Sequence, residues 1–195
     1  MLIRIKPRLT GGVYFCAMMK ELPLSKVYQF IEPGPVVLLT TQAPGAKPNV
    51  MTMSWHMMLE FEPPLIGCVV AAGNYSFAAL GKTRECVIAV PPASLAKIVT
   101  DIGNCTGGDT DKFASFDLTP LPASKVAAPL IGEAMVNLEC VVKDTKMVKP
   151  YNLFVLECVK AWENPKLRDA PMLHHHGYGN FSVDGERIKM KSKMR

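Results

Sequence analysis

Six segments of strand length, residues 36–41, 49–56, 64–71, 85–90, 135–143 and 153–162, follow one another with turns and short helical stretches between them. The most regular is 135–143, where Val136, Leu138, Cys140 and Val142 fall on one face and Asn137, Glu139 and Lys143 on the other. That is the two-residue period of a strand. Strands of this length separated by turns bury their apolar faces by closing on one another, so the spacing predicts a mainly β chain built as a closed or nearly closed barrel. A few short helices fall outside that series. Residues 93–102 carry Leu95, Ile98, Val99 and Ile102 at helical spacing, an amphipathic helix expected to cap one end of the barrel. Residues 74–80 form a second, opened by Gly73 with Asn74 or Ser76 as its cap. Residues 25–30 form a third, capped by Ser25 and stopped by Pro33-Gly34-Pro35. Residues 1–22 read as an extended N-terminal arm and residues 23–195 as a single domain, since nothing in a length of 195 residues demands two.

The rest of the composition excludes more than it identifies. Apolar runs such as residues 65–72 are too short to cross a bilayer, and no signal-peptide pattern opens the chain. The six cysteines lack a Cys-x-x-Cys or zinc-type spacing. Several sit inside predicted strands and read as small buried thiols, which points to a reducing cytoplasm. Much of the net charge of +5 lies in the terminal residues 187–195, a solvated basic tail rather than a nucleic-acid surface. No basic patch is interleaved with stacking aromatics, so neither nucleic acid nor membrane is an expected partner.

One strand breaks the pattern. Asn49-Val50-Met51-Thr52-Met53-Ser54-Trp55-His56 is too polar for a dry core and too bulky for a solvated face. Alternation puts Asn49, Met51, Met53 and Trp55 on one side and Val50, Thr52, Ser54 and His56 on the other, so both faces mix hydrogen-bonding groups with large ones. That mixture suits a flat polar ligand lying along the strand.

Two loops carry weaker signals. Gly73-Asn74-Tyr75-Ser76 opens a helix; its first-turn N–H groups, dipole and hydroxyl make a place for a phosphate, with Lys82 and Arg84 close behind. An ordinary capped helix accounts for the same residues. The Gly103–Phe113 loop holds glycines that permit close backbone approach and Lys112, a candidate counter-charge for phosphate. Equally, Asp111 caps a helix and Lys112 lies in solvent. His174-His175-His176 puts His174 and His176 on one side of an extended segment, but no third metal ligand is identifiable. No Gly-x-Ser-x-Gly elbow, Gly-x-Gly-x-x-Gly fingerprint or Walker loop is present.

The order of these motifs carries a resemblance. Pro35 to Thr41, Asn49 to His56, Pro63-Pro64-Leu65, Asn74-Tyr75-Ser76, Asp111-Lys112-Phe113, Ala128-Pro129-Leu130-Ile131 and the stretch from His174 to Phe181 followed by Val183-Asp184-Gly185-Glu186 resemble the flavin reductase-like, FMN-binding split-barrel family, most of all its flavoredoxin branch. The resemblance covers nearly everything after the arm. It implies a homodimeric, Greek-key-like split β-barrel with noncovalent FMN near the dimer interface. Asn49, Met51, Thr52, Ser54 and Trp55 would contact the flavin or its ribityl phosphate, and Asn74, Tyr75, Ser76 and Lys112 would complete the phosphate site. His176 would come near the isoalloxazine.

The function implied is an FMN-dependent oxidoreductase drawing on NADH or NADPH. The alternative is a flavoredoxin-type carrier that exchanges electrons with a redox-protein partner and has no efficient nicotinamide site. In either case the flavin supplies the redox chemistry and no catalytic side chain is required. A split barrel with a vacant pocket would require the polar residues of 49–56 to satisfy one another.

Overall fold

A computed structural model describes residues 34–191. The arm and the helix at 25–30 lie outside the described residues. Strands β1 (Val37–Thr41), β2 (Asn49–Met53), β3 (His56–Glu60), β4 (Leu65–Val69), β5 (Glu85–Val90), β8 (Val136–Asp144) and β9 (Leu153–Glu163) form one sheet in the order β2-β1-β5-β8-β9-β4-β3. Every pairing in it is antiparallel. Two short ribbons, β6 (Pro120–Leu121) with β7 (Leu130–Ile131) and β10 (Leu173–His175) with β11 (Phe181–Val183), lie outside it.

The polar segment 49–56 is two strands, not one. Its first part is β2 at one end of the sheet, and its last residue begins β3 at the other end. Only Ser54 and Trp55 lie between them, and so short a link spans roughly 10 Å. The sheet must therefore curl until its ends meet, which makes it a split barrel. The turn at the seam is pinned by His56 N–H to Ser54 C=O at 3.1 Å and Val69 N–H to Trp55 C=O at 3.0 Å.

Alternation sorts the side chains into an inner and an outer layer. Val37 and Leu39 of β1, Met53 of β2, Cys68 of β4, Ile88 of β5, Cys140 of β8 and Phe154 of β9 meet in one core cluster. Contacts among strands from both ends of the sheet are the packing counterpart of the curl. Leu80 of helix α1 (Tyr75–Thr83) joins this cluster, and Phe77 meets Phe154 edge to face at 5.5 Å. This is the helix that plugs the barrel.

The amphipathic segment predicted to do so has another place. Its second half, helix α2 (Ala96–Gly103), buries Val99 and Ile102 against Val36, Leu38, Val50 and Ala89 on the outer face. The outward residues of β8 are covered too. Asn137 exchanges hydrogen bonds with Ile131, 2.8 Å from its N–H and 3.1 Å to its C=O. The fully buried Glu139 accepts from Trp162 Nε1 at 2.6 Å, from the N–H and hydroxyl of Ser124, and from Lys125 N–H. Burial pushes the Glu139 carboxyl up, and these donors more than reverse it, holding it below the usual range. Asn137 and Glu139, on the face opposite the core, thus form a second, hydrogen-bonded layer.

Candidate functional site

At one rim of the barrel three segments converge: the start of β2, the start of α1, and the loop from the end of α2 to the short helix α3 (Lys112–Ser115). They enclose a cleft of about 130 Å³ lined by Asn49, Met51, Thr52, Asn74, Tyr75, Ser76 and Lys112, with Gly103, Cys105, Thr106 and Gly107 completing the wall.

Its hydrogen bonding is unbalanced toward donors. Ser76 is buried, and its Oγ accepts from Asn49 Nδ2 at 2.8 Å and from the Thr41 hydroxyl at 3.5 Å. With both lone pairs engaged, its own hydroxyl proton remains to be given. The side chain of Asn74, at the N-cap of α1, makes no cap hydrogen bond, so it does not occupy the donors of the first turn. Lys112 is 3% exposed, contrary to the solvated alternative. Its Nζ donates to Ile102 C=O at 2.8 Å, one bond for a group with three donors. Burial pulls its pKa down from the ordinary value. Asp111 caps α3 by accepting from Ala114 N–H at 3.3 Å and pairs with Lys47 at 2.7 Å. The hydrogen bond from Lys47, then that from Ala114, hold its carboxyl below the usual range.

Two features test whether a phosphorylated polyol fits. Asn49 Oδ1 is buried with no hydrogen-bond partner among the described residues; a buried acceptor costs about 1–3 kcal/mol until a donor meets it, as a ligand hydroxyl would. Gly107 approaches so closely that a Cβ there would lie 2.1 Å from Asn49 Oδ1. Glycine is what lets this backbone form the wall. Surplus donors beside one unmet acceptor match an anion joined to a hydroxylated chain.

The cleft runs on through Thr52 and Gly103 into a groove of about 260 Å³ that includes Ser54, Val99, His175 and Phe181. The Thr52 hydroxyl donates to Val99 C=O at 2.6 Å, which leaves its lone pairs for the groove. Ser54 therefore lies in the second compartment. Two expected residues line neither. Trp55, in the seam, is 58% exposed, and His176 turns to Ser182 Oγ at 2.8 Å. Parity explains the latter: β10 pairs with β11, so His175 and His176 point oppositely, and it is His175, stacked at a tilt on Phe181 at 5.1 Å, that faces the groove. His174 is bonded to Asp184 at 2.6 Å. Among the described residues no three His, Cys, Asp or Glu side chains are placed to share a metal ion.

Of the cations expected behind the phosphate, Arg84 reaches Val142 C=O and the Thr145 hydroxyl instead, and Lys82 borders a neighbouring groove. Thr106 and Cys105 belong to the Gly103–Phe113 loop, to which its glycines and Lys112 were the signals in the sequence.

Residues 31–181 match the model of the flavin reductase like domain, and the chain belongs to that family. An uncharacterized protein of Archaeoglobus fulgidus is 33% identical over 123 residues, 63% of this chain and 70% of its own. Two solved structures share the fold. Flavoredoxin of Desulfovibrio vulgaris (Miyazaki F) has a TM-score of 0.77 at 22% identity, covering 89% of this chain and 97% of its own. An FMN-binding domain of a flavin reductase-like enzyme from Shewanella baltica OS155 has a TM-score of 0.76 at 21% identity, covering 87% and 96%.

Proposed function

We propose that this protein is an FMN-dependent oxidoreductase that passes electrons from NADH or NADPH, or from a reduced protein partner, through noncovalently held FMN. The observation that carries the reading is the convergence of Ser76, Lys112 and the unpartnered Asn49 Oδ1 in one cleft. Bound FMN supplies the group that accepts and releases hydride or single electrons. Ser76 and Lys112 hold the phosphate, the first as an oriented donor and the second as a buried counter-charge. Asn49 accepts from a ribityl hydroxyl, while Thr52, Ser54 and His175 border the compartment left for the ring. The FMN-binding neighbours and the family support this assignment.

The same reading includes a homodimer. Edge strand β3 and the seam expose Trp55, Met57, Met58, Leu59 and Phe61, with Phe61 83% exposed. An open apolar edge is an association surface that proteins otherwise cover or charge, and a self-complementary pairing of two copies covers it. Trp55 adjoins Ser54, so such a pairing would bring covered aromatic surface beside the groove. The described cysteines are all free, which supports a reducing cytoplasm. Among the described residues no helix is long and apolar enough to cross a membrane.

Anaerobic mixing of the FMN-loaded protein with NADH and NADPH in turn tests the activity. Fast bleaching of flavin absorbance with either supports the reductase. FMN binding without fast reduction transfers the assignment to the flavoredoxin-type carrier, and failure to take up FMN overturns both.

A further inference from the structure

Of the five cysteines among the described residues, four are withdrawn from chemistry. Cys86 and Cys140 are fully buried in the barrel core. Burial pushes the Cys68 thiol up to about 12, and a hydrogen bond with Cys140, then burial, push Cys158 up as well. Thiols held protonated in such surroundings are inert. Cys105 has a different place: it is half-buried in the loop after α2 and forms part of the wall of the rim cleft.

That wall is an anion site. Cys105 Sγ and Lys112 Nζ converge on one acceptor, Ile102 C=O, at 3.8 and 2.8 Å, and Sγ also reaches Asp101 C=O at 3.4 Å. Lys112 keeps two donors beyond that bond, and Ser76 lines the same cleft. Asn49 shows, independently of the thiol, that the cleft is built for a ligand. It is 5% exposed, and its Oδ1, directed at Gly107 two residues from Cys105, meets no donor among the described residues. An anion gripped by Lys112 and Ser76 therefore lies beside a thiol.

We propose that Cys105 is a modification site for small carboxylate-bearing disulfides, which Lys112 and Ser76 recruit and which, once joined to Cys105, take the place of the FMN phosphate. The Cys105 thiolate attacks one sulfur of the disulfide. A new S–S bond forms as the old one breaks, and the other half leaves with the electron pair as a thiolate that takes up the proton Cys105 released. Excess small thiol reverses the exchange. A cleft of about 130 Å³ holds the carboxylate arm or the phosphate, not both. The exchange stands on the charge of the cleft, and its effect on FMN rests on the flavin reading above.

The test exposes the flavin-free protein to dithiodipropionate, whose arms end in carboxylates, or to cystamine, whose arms of similar length end in ammonium groups. Peptide mapping by mass spectrometry follows each cysteine. Cys105 is expected to react first, and about tenfold faster with the anionic disulfide. Lys112→Met should bring the two rates within about twofold of each other. Modified protein should bind FMN about tenfold or more weakly until a small thiol restores it, and FMN affinity of Cys105→Ser should be the same before and after treatment. Faster reaction at another cysteine overturns the proposal, as does an equal or faster rate with cystamine, a preference that survives Lys112→Met, or modified protein that binds FMN as before. If untreated protein takes up no FMN, the flavin reading falls and the blocking of FMN with it, while faster exchange with the anionic disulfide at Cys105 still supports the modification site.

Discussion

Gly107 and Asn49 fit each other so tightly that a methyl group on Gly107 would stand 2.1 Å from Asn49 Oδ1 and 2.5 Å from its Cγ. Gly107→Ala must therefore push Asn49 out of its bond to Ser76. FMN affinity is expected to fall about tenfold, or about 1.4 kcal/mol. The neighbouring Gly108→Ala meets nothing nearer than 3.7 Å and should leave affinity unchanged. Calorimetric titration of the two variants separates a specific contact from a general softening of the loop.

Lys112 poses the opposite balance between stability and function. Burying an ammonium with a single protein hydrogen bond is costly, and an apolar side chain of similar length is usually tolerated in its place. Lys112→Met should leave the flavin-free protein as stable as wild type or about 1 kcal/mol more so. It should also weaken FMN binding about tenfold or more. Thermal unfolding with and without FMN reads both effects. A variant that loses stability but keeps its affinity would make Lys112 a structural residue.

Glu139 governs the acid limb of stability. Its folded-state carboxyl is held below the ordinary 4.5 by its net hydrogen bonding. Such a group contributes stability that is fully present above that value and is lost as pH falls through the folded one. Glu139→Gln turns an amide toward donors at Trp162, Ser124 and Lys125, and should cost about 3 kcal/mol near neutrality. Urea unfolding from about pH 7 to about pH 3 should show a shallower decline for the variant than for wild type.

The apolar edge makes a prediction about assembly. Met58→Glu with Phe61→Glu places charges on the exposed face of β3 and the residue after it, leaving the core untouched. Light scattering on the eluting protein should show wild-type dimers and variant monomers. A monomeric wild type would remove the homodimer from the proposal.

How far the sequence revealed this site depended on the kind of information each residue carries. Alternation in 135–143 marked an inner face correctly because a strand's period is local. It could not show that Glu139 and Asn137 are buried, because what covers them comes from elsewhere in the chain. The polarity of 49–56 located the cleft, but its division into β2 and β3 depends on the barrel closing, which no window of eight residues contains. Lys112 was ambiguous for a similar reason: its burial is decided by Ile102 and the α2 C-terminus. In the histidine segment His175 faces the groove and His176 turns to Ser182, since extended chain reverses direction at every residue and the register was set by β11.

The two-residue seam at Ser54-Trp55 has a kinetic consequence. Because it joins neighbours in sequence that sit at opposite ends of the sheet order, the local hairpins β1–β2 and β3–β4 can form first, but the barrel closes only when β5, β8 and β9 stand between them. The β5–β8 and β4–β9 pairings link segments far apart in the chain, so closure waits on loops with a high entropic cost. Thr52 and Ser54, which border the groove, lie beside and within that joint. The groove is thus complete only when the barrel has closed, and a ligand that grips it acts as a clasp on the finished cylinder.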